Sequence, residues 1–148
     1  MWRLIPLFSY VGNYLLLEAT SIRGKRIFPG NLARIVSPRF PKSAEDQSKC
    51  LLFSMSAYGP HIGTIRVRDE LGREQFYYQG DEKNTNLTQW VTVSVQLVKD
   101  SRLFVIEVSR GGVNTEDDKG DVCLDDFSVL LGRCRKSILA LLAHKKPS

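Results

Sequence analysis

The sequence predicts an all-β chain folded as a two-sheet antiparallel sandwich, and three observations lead there. The first is a two-residue period: Val91, Val93, Val95 and Leu97 alternate with Thr92, Ser94 and Gln96, so one face is apolar and the other carries hydroxyl and amide groups. A helix would spread those four apolar residues around its circumference. The second is turn chemistry, with Gly, Pro, Asn and Asp recurring between the apolar runs. The third is the count that results, about eight short strands with no intervening helical pattern, which suits an antiparallel sandwich and not a βαβ fold.

Taken along the chain, strands are expected at 14–19, 33–36, 50–58, around Ile65 and Val67, and at 74–79, 91–97, 103–109 and 122–131. Ile65 and Val67 alternate with Thr64, Arg66 and Arg68, as a half-buried strand requires. The run at 50–58 is almost continuously apolar, the pattern of a strand covered on both faces. Turns fall at Phe28-Pro29-Gly30-Asn31, Ser37-Pro38, Gly59-Pro60, Leu71-Gly72, Gly80-Asp81 and Gly111-Gly112. The polar tracts 42–49 and 114–120 read as surface loops. Trp90, Tyr77 and Tyr78 are the aromatics that could supply a platform for a sugar, but Trp90 opens an alternating strand and is expected in the core. Tyr77 and Tyr78 point to opposite faces of theirs. A helix is suggested only at 137–143, where Ile138, Leu139, Leu141 and Leu142 form a small stripe on a segment too short to be stable alone.

A length of 148 residues suits one domain with a proper core, and 43% hydrophobic with 25% charged residues excludes wholesale disorder. The formal charge of +5 is scattered through loops and tail, as in Arg23-Gly24-Lys25-Arg26, Arg133, Arg135, Lys136, Lys145 and Lys146. Aromatic and basic residues do not interleave as base-stacking platforms do, so no nucleic-acid partner is expected. No run reaches the roughly 20 apolar residues that span a bilayer. The opening run, Met1 to Phe8, meets Gly12-Asn13 instead of a small-residue cleavage site, so no clear signal peptide is read.

Read together, several segments carry a resemblance: Gly12-Asn13-Tyr14-Leu15-Leu16-Leu17-Glu18-Ala19, Ala33-Arg34-Ile35-Val36-Ser37-Pro38, and Cys50-Leu51-Leu52-Phe53 leading into Tyr58-Gly59-Pro60-His61-Ile62-Gly63-Thr64-Ile65. Trp90 with its alternating strand, Phe104 to Gly111, and Gly120-Asp121-Val122-Cys123-Leu124-Asp125-Asp126-Phe127 ending at Cys134 complete the set. In this order and spacing the chain resembles MAM domains, the module named after meprin, a neuropilin-type antigen and a receptor tyrosine phosphatase. The resemblance covers residues 12–134, leaving an atypical segment 1–11 and a basic tail 135–148.

That resemblance implies a jelly-roll, concanavalin A-like sandwich in an extracellular setting, either secreted or in the ectodomain of a membrane protein. It implies no catalytic activity and partners among other cell-surface or extracellular proteins, including homophilic ones. It also implies a disulfide between Cys50 and Cys134, although by sequence alone three cysteines allow three single pairings. Some relatives hold a structural cation, and the matching positions here are Glu18 and Asp126, a candidate Ca²⁺ site. The favoured alternative is that Asp125 and Asp126 bond backbone amides or Arg34 with no cation. Three departures stand out. The segment before Gly12 lacks the usual two-cysteine, Asp-rich, Trp-containing start, so the domain is expected to be N-terminally truncated, without the first strands and one disulfide of the family pattern. Ser54-Met55-Ser56 stands where aromatic residues are usual, and Cys123 replaces a usual small residue. Cys123 is expected as a buried, inert side chain or, alternatively, as an intermolecular disulfide.

Asn86-Leu87-Thr88 is an N-glycosylation sequon placed in a polar turn. His61 and His144 have no partner constellation near them in sequence, and no phosphate loop or zinc motif is present. The alternative to a protein-recognition module is a lectin-like carbohydrate binder, which requires an exposed aromatic platform beside carboxylate and amide groups.

Overall fold

A computed structural model describes residues 3–4, 9–11, 14–18, 32–59, 61–80, 86–111 and 120–135, with side chains described for 14–16, 32–59, 61–80, 90–111 and 120–135. Among the described residues ten strands form two five-stranded antiparallel sheets. In chain order they are β1 (Arg3–Leu4), β2 (Ser9–Val11), β3 (Tyr14–Glu18), β4 (Leu32–Val36), β5 (Lys49–Tyr58), β6 (Ile62–Asp69), β7 (Glu74–Gln79), β8 (Asn86–Leu97), β9 (Phe104–Arg110) and β10 (Asp121–Leu131). The first sheet runs β1-β4-β9-β6-β7 and the second β2-β3-β10-β5-β8. Residues ahead of Gly12 therefore supply a strand to each sheet. The expected helix at 137–143, the turn Phe28-Pro29-Gly30-Asn31 and the loop residues 114–119 lie outside the described residues.

The alternation read from the sequence becomes the core. Ala33, Ile35, Ile65, Val67, Phe76, Phe104, Ile106 and Val108 point inward from the first sheet. Leu51, Phe53, Met55, Ala57, Val93, Val95, Leu97, Val122 and Leu124 meet them from the second. Phe53 sits at the centre, edge-on to Phe76 across the sandwich at 6.1 Å and stacked on Phe127 at 6.0 Å. Phe127 reaches the core only because β10 changes phase. Between Asp125 and Ser128 its register on β5 shifts, and Asp126 takes a positive φ of 55°. Strict alternation would turn Asp126 inward after Leu124, burying an unpaired carboxylate. The bulge sends Asp126 to the surface and turns Phe127 and Val129 to the core side.

At one end of the sandwich charged side chains tie the loops together. Residues 42–49, expected as a solvated loop, contain a 3-10 turn at Lys42–Ala44 and end at Lys49, which is 0% exposed. Its ammonium donates to the carbonyl oxygens of Ala44 (2.7 Å), Glu45 (3.3 Å), Gln47 (2.9 Å) and Lys99 (2.8 Å) and lies 5.4 Å from the Phe40 ring. The charge that suggested solvent is satisfied instead by a cage of backbone dipoles. Burial pulls the Lys49 pKa below its ordinary value, opposed by the surrounding carboxylates of Asp46, Asp100, Glu45 and Glu70. Beside it, buried Asp69 accepts the backbone N–H groups of Leu71 and Arg73, closing the β6–β7 turn, and is bound by the Arg73 guanidinium. Arg73 continues to Asp100 at 2.9 and 3.3 Å, and its hydrogen bonds hold the Asp100 carboxyl below the ordinary range. Glu70 accepts the N–H of Arg102.

At the other end the connections close on Ile62. A Cβ at Gly80 would lie 2.1 Å from the Ile62 Cγ1, and one at Gly120 would lie 2.8 Å from its Cγ2. One at Gly111 would meet the Ile62 carbonyl oxygen at 2.8 Å. These loops pack only because they carry no side chain there.

Candidate interaction surface

The outer face of the second sheet is built from the residues that alternation turns away from the core. Register sets Leu16, Cys123 and Ser56 in one row across β3, β10 and β5, and two positions along, Asp121 pairs with the Glu18 backbone on one side and Tyr58 on the other. Asp125 stands opposite Ser54 on the other side. On β8, Trp90 shares the parity of Thr92, Ser94 and Gln96 and is 47% exposed, which corrects its expected place in the core. Its ring meets Tyr14 on β3 edge-on, at 5.6 Å and 69°. Since β10 and β5 lie between those strands, about 14 Å of sheet at ~4.8 Å per strand, the two rings lean over the face to meet. Leu16, Ser56 and Cys123 are buried on this outward side.

Polar groups flank the aromatic pair. Tyr58, exposed like Trp90, donates its hydroxyl to the Asp121 carboxylate. Ser54 donates to Asp126 at 3.2 Å. The resulting surface offers large aromatic rings beside the carboxylates of Asp121, Asp125 and Asp126. The opposite outer face, on the first sheet, is basic and interlocked. Buried Glu107 is gripped by Arg34 at 2.6 Å and Arg68 at 3.0 Å, while Arg66 packs 5.0 Å from the Tyr77 ring. Arg34 therefore serves Glu107 on the first sheet, not Asp125 or Asp126. Tyr78 packs against the core and Tyr77 lies on the outside, as their parity required.

Cys50 and Cys134 are joined, with Cα atoms 5.0 Å apart, and Cys134 donates its N–H to Gln96 on β8. Cys123 is a buried thiol outside that bridge. Asn86 is the first residue of β8, opposite Tyr58, so the sequon opens a strand where a turn was expected. Its side chain, like that of Glu18, is outside the described ones. The backbone of Glu18 faces Asp121, and Asp126 lies farther along β10, past Leu124 and towards the bulge. Among the described residues no group of three His, Cys, Asp or Glu side chains is placed to hold a metal. His61 lies in the β5–β6 connection, its carbonyl accepting the Gly111 N–H, and His144 is outside the described residues.

The family model for the MAM domain, meprin/A5/mu, matches residues 8–135, most of the chain. The chain belongs to the MAM family. MAM domains are non-catalytic extracellular modules that mediate protein interactions, and the Cys50–Cys134 bridge suits an oxidising compartment. No helix among the described residues is long and apolar enough to cross a membrane.

Solved structures similar to this MAM domain include the K1 cleaved adhesin domain of Lys-gingipain from Porphyromonas gingivalis W83, with TM-score 0.59 and 11% identity over 89% of this chain and 91% of that one. The K3 cleaved adhesin domain of the same protein gives TM-score 0.53 and 14% identity over 78% and 73%. The N-terminal cellulose-binding domain of a Cellulomonas fimi β-1,4-glucanase gives 0.48 and 12% over 90% of each chain. At these identities the gingipain adhesin domains share the sandwich fold with this chain and nothing finer.

Proposed function

We propose that this MAM domain is an extracellular protein-recognition module acting in adhesion or in the assembly of receptors and ectoenzymes, and that the Trp90 face of the second sheet is its docking surface. The observation that carries the reading is the exposed Trp90 ring, braced by Tyr14, on a face that also exposes Tyr58 and carries Asp121, Asp125 and Asp126. Trp and Tyr dominate interface hot spots because they bury much area at little entropic cost, while a polar rim excludes water and selects the partner. Bracing holds the ring in place before binding, which lowers the ordering cost. The role needs neither a catalytic group nor a cation. An N-glycan on Asn86 belongs to the same extracellular picture, at the start of the strand that carries Trp90.

A carbohydrate-binding role is the second reading, favoured by the same exposed ring beside Asp121 and Asp125. Binding of the secreted full chain to a panel of purified ectodomains and to a glycan array separates the two. We expect ectodomain binding that Trp90→Ala weakens by roughly 30-fold or more, the ~2 kcal/mol of a hot-spot residue. Binding to glycans alone would transfer the function to the second reading. Ectodomain binding indifferent to Trp90→Ala would place the docking surface elsewhere.

A further inference from the structure

The two sheets end in four edge strands, and three of them are blunted. β1 and β2 span two and three residues. β7 spans six, begins at the charged Glu74 and is distorted by a register shift against β6 between Val67 and Arg68. Short, charged or bulged edges are how folded chains avoid pairing with one another.

β8 has none of these protections over most of its length. It is twelve residues long, Asn86–Leu97, and contains no charged residue, no proline and no glycine. Its pairing with β5 is disturbed only near Met55 and Ala57, opposite its first half. From Val91 to Leu97 it runs in regular register, with β-branched valines facing the core and Thr92, Ser94 and Gln96 facing out. Among the described residues no strand pairs with its far side. In an antiparallel ladder every second residue of that stretch turns its N–H and C=O away from β5.

We infer that this edge pairs, antiparallel, with β8 of a second copy of the chain. A second copy is the partner this edge fits. A two-fold axis normal to the sheet keeps faces matched, setting valine against valine and hydroxyl or amide against hydroxyl or amide. Self-pairing sets residues equidistant from the axis opposite one another, so a lysine or glutamate at or beside the axis would face a like charge, and Asn86–Leu97 contains none. The two five-stranded sheets would become one continuous sheet through the dimer. The recognition reading concerns the face of this sheet; the present inference concerns its edge, and either can fail alone.

The test is the association state of the secreted full chain by sedimentation and light scattering over its soluble concentration range. A reversible dimer is expected. The pair Thr92→Lys and Ser94→Lys should weaken it at least roughly tenfold with the Cys50–Cys134 bridge and the unfolding midpoint retained. Trp90→Ala should leave it in place. A chain that stays monomeric, or a dimer indifferent to the two lysines, overturns the inference. So does a dimer abolished by Trp90→Ala and spared by the lysines, which would belong to the aromatic face. Should the lysine variant not fold, amide exchange of the natural chain decides. Protection at 91–97 that rises with concentration supports edge pairing, and protection independent of concentration refutes it.

Discussion

At the end that carries the β4–β5, β6–β7 and β8–β9 connections, side chains do the joining. Lys49 fills a cage of carbonyl oxygens, Asp69 organises a turn, and Arg73 spans to Asp100. At the end that carries the β5–β6, β7–β8 and β9–β10 connections, Gly80, Gly111 and Gly120 crowd around the one bulky residue Ile62. The first end is held by charge brought to backbone dipoles, the second by the room that missing side chains leave. The two therefore fail differently: removing a group loosens the first, and adding one jams the second.

The largest effect is expected where the charged end is also stapled. Cys50 follows Lys49 directly, and its bridge to Cys134 closes a separation of 84 residues. Replacing both cysteines by serine should lower unfolding stability by about 4–5 kcal/mol if the chain-entropy account holds, measured by urea titration. A loss below about 1 kcal/mol would mean that the caged lysine and the ion pairs hold this end without the staple.

A smaller effect, about 1–3 kcal/mol, is expected from Gly80→Ala, because the new methyl must displace Ile62. The comparison sharpens in the double variant. Ile62→Ala removes the Cγ1 that the new methyl would meet; alone it should cost about 2–5 kcal/mol, yet in its background the Gly80→Ala penalty should largely disappear. Additive losses in that cycle would show that steric room at Ile62 is not what the glycine supplies.

The smallest effect concerns acid. Arg73 depresses the Asp100 pKa, so the pair's contribution is present above the ordinary carboxylate range of about pH 4 and is lost as pH falls through the lower folded value. The Arg73→Ala midpoint should accordingly fall less than the parent's on acidification below about pH 4. Identical pH profiles would assign that acid sensitivity to other carboxylates. The pair is exposed, and screening keeps its effect small.

The same contrast explains what could be read from the chain. Strands were legible because alternation reports directly which face is buried; the expected span at 74–79 coincides with β7, and that at 122–131 differs from β10 by one residue. The turn at Leu71-Gly72 was legible for the same local reason. Lys49 was not, because a charge read alone implies water, and the carbonyls that replace water come from Ala44, Glu45, Gln47 and distant Lys99. Trp90 was expected in the core as the opening residue of an alternating strand, yet it shares the parity of the outward Thr92 and Ser94 and is exposed. The bulge in β10 was also written in the pattern, since the apolar phase moves from Val122 and Leu124 to Phe127 and Val129. Glu18 and Asp126 came from family positions, and only strand register reveals that Glu18 stands opposite Asp121.

The enclosed ammonium of Lys49 has a practical consequence. Amine-reactive labels attack an accessible, neutral amine, and this one is walled in by four carbonyl oxygens and an aromatic ring. Coupling the domain through its lysines to a bead, a dye or a sensor chip uses exposed Lys42 and Lys99 at this end and leaves Lys49 unmodified for as long as the end stays closed. Label on Lys49 thus becomes a timestamp of its opening.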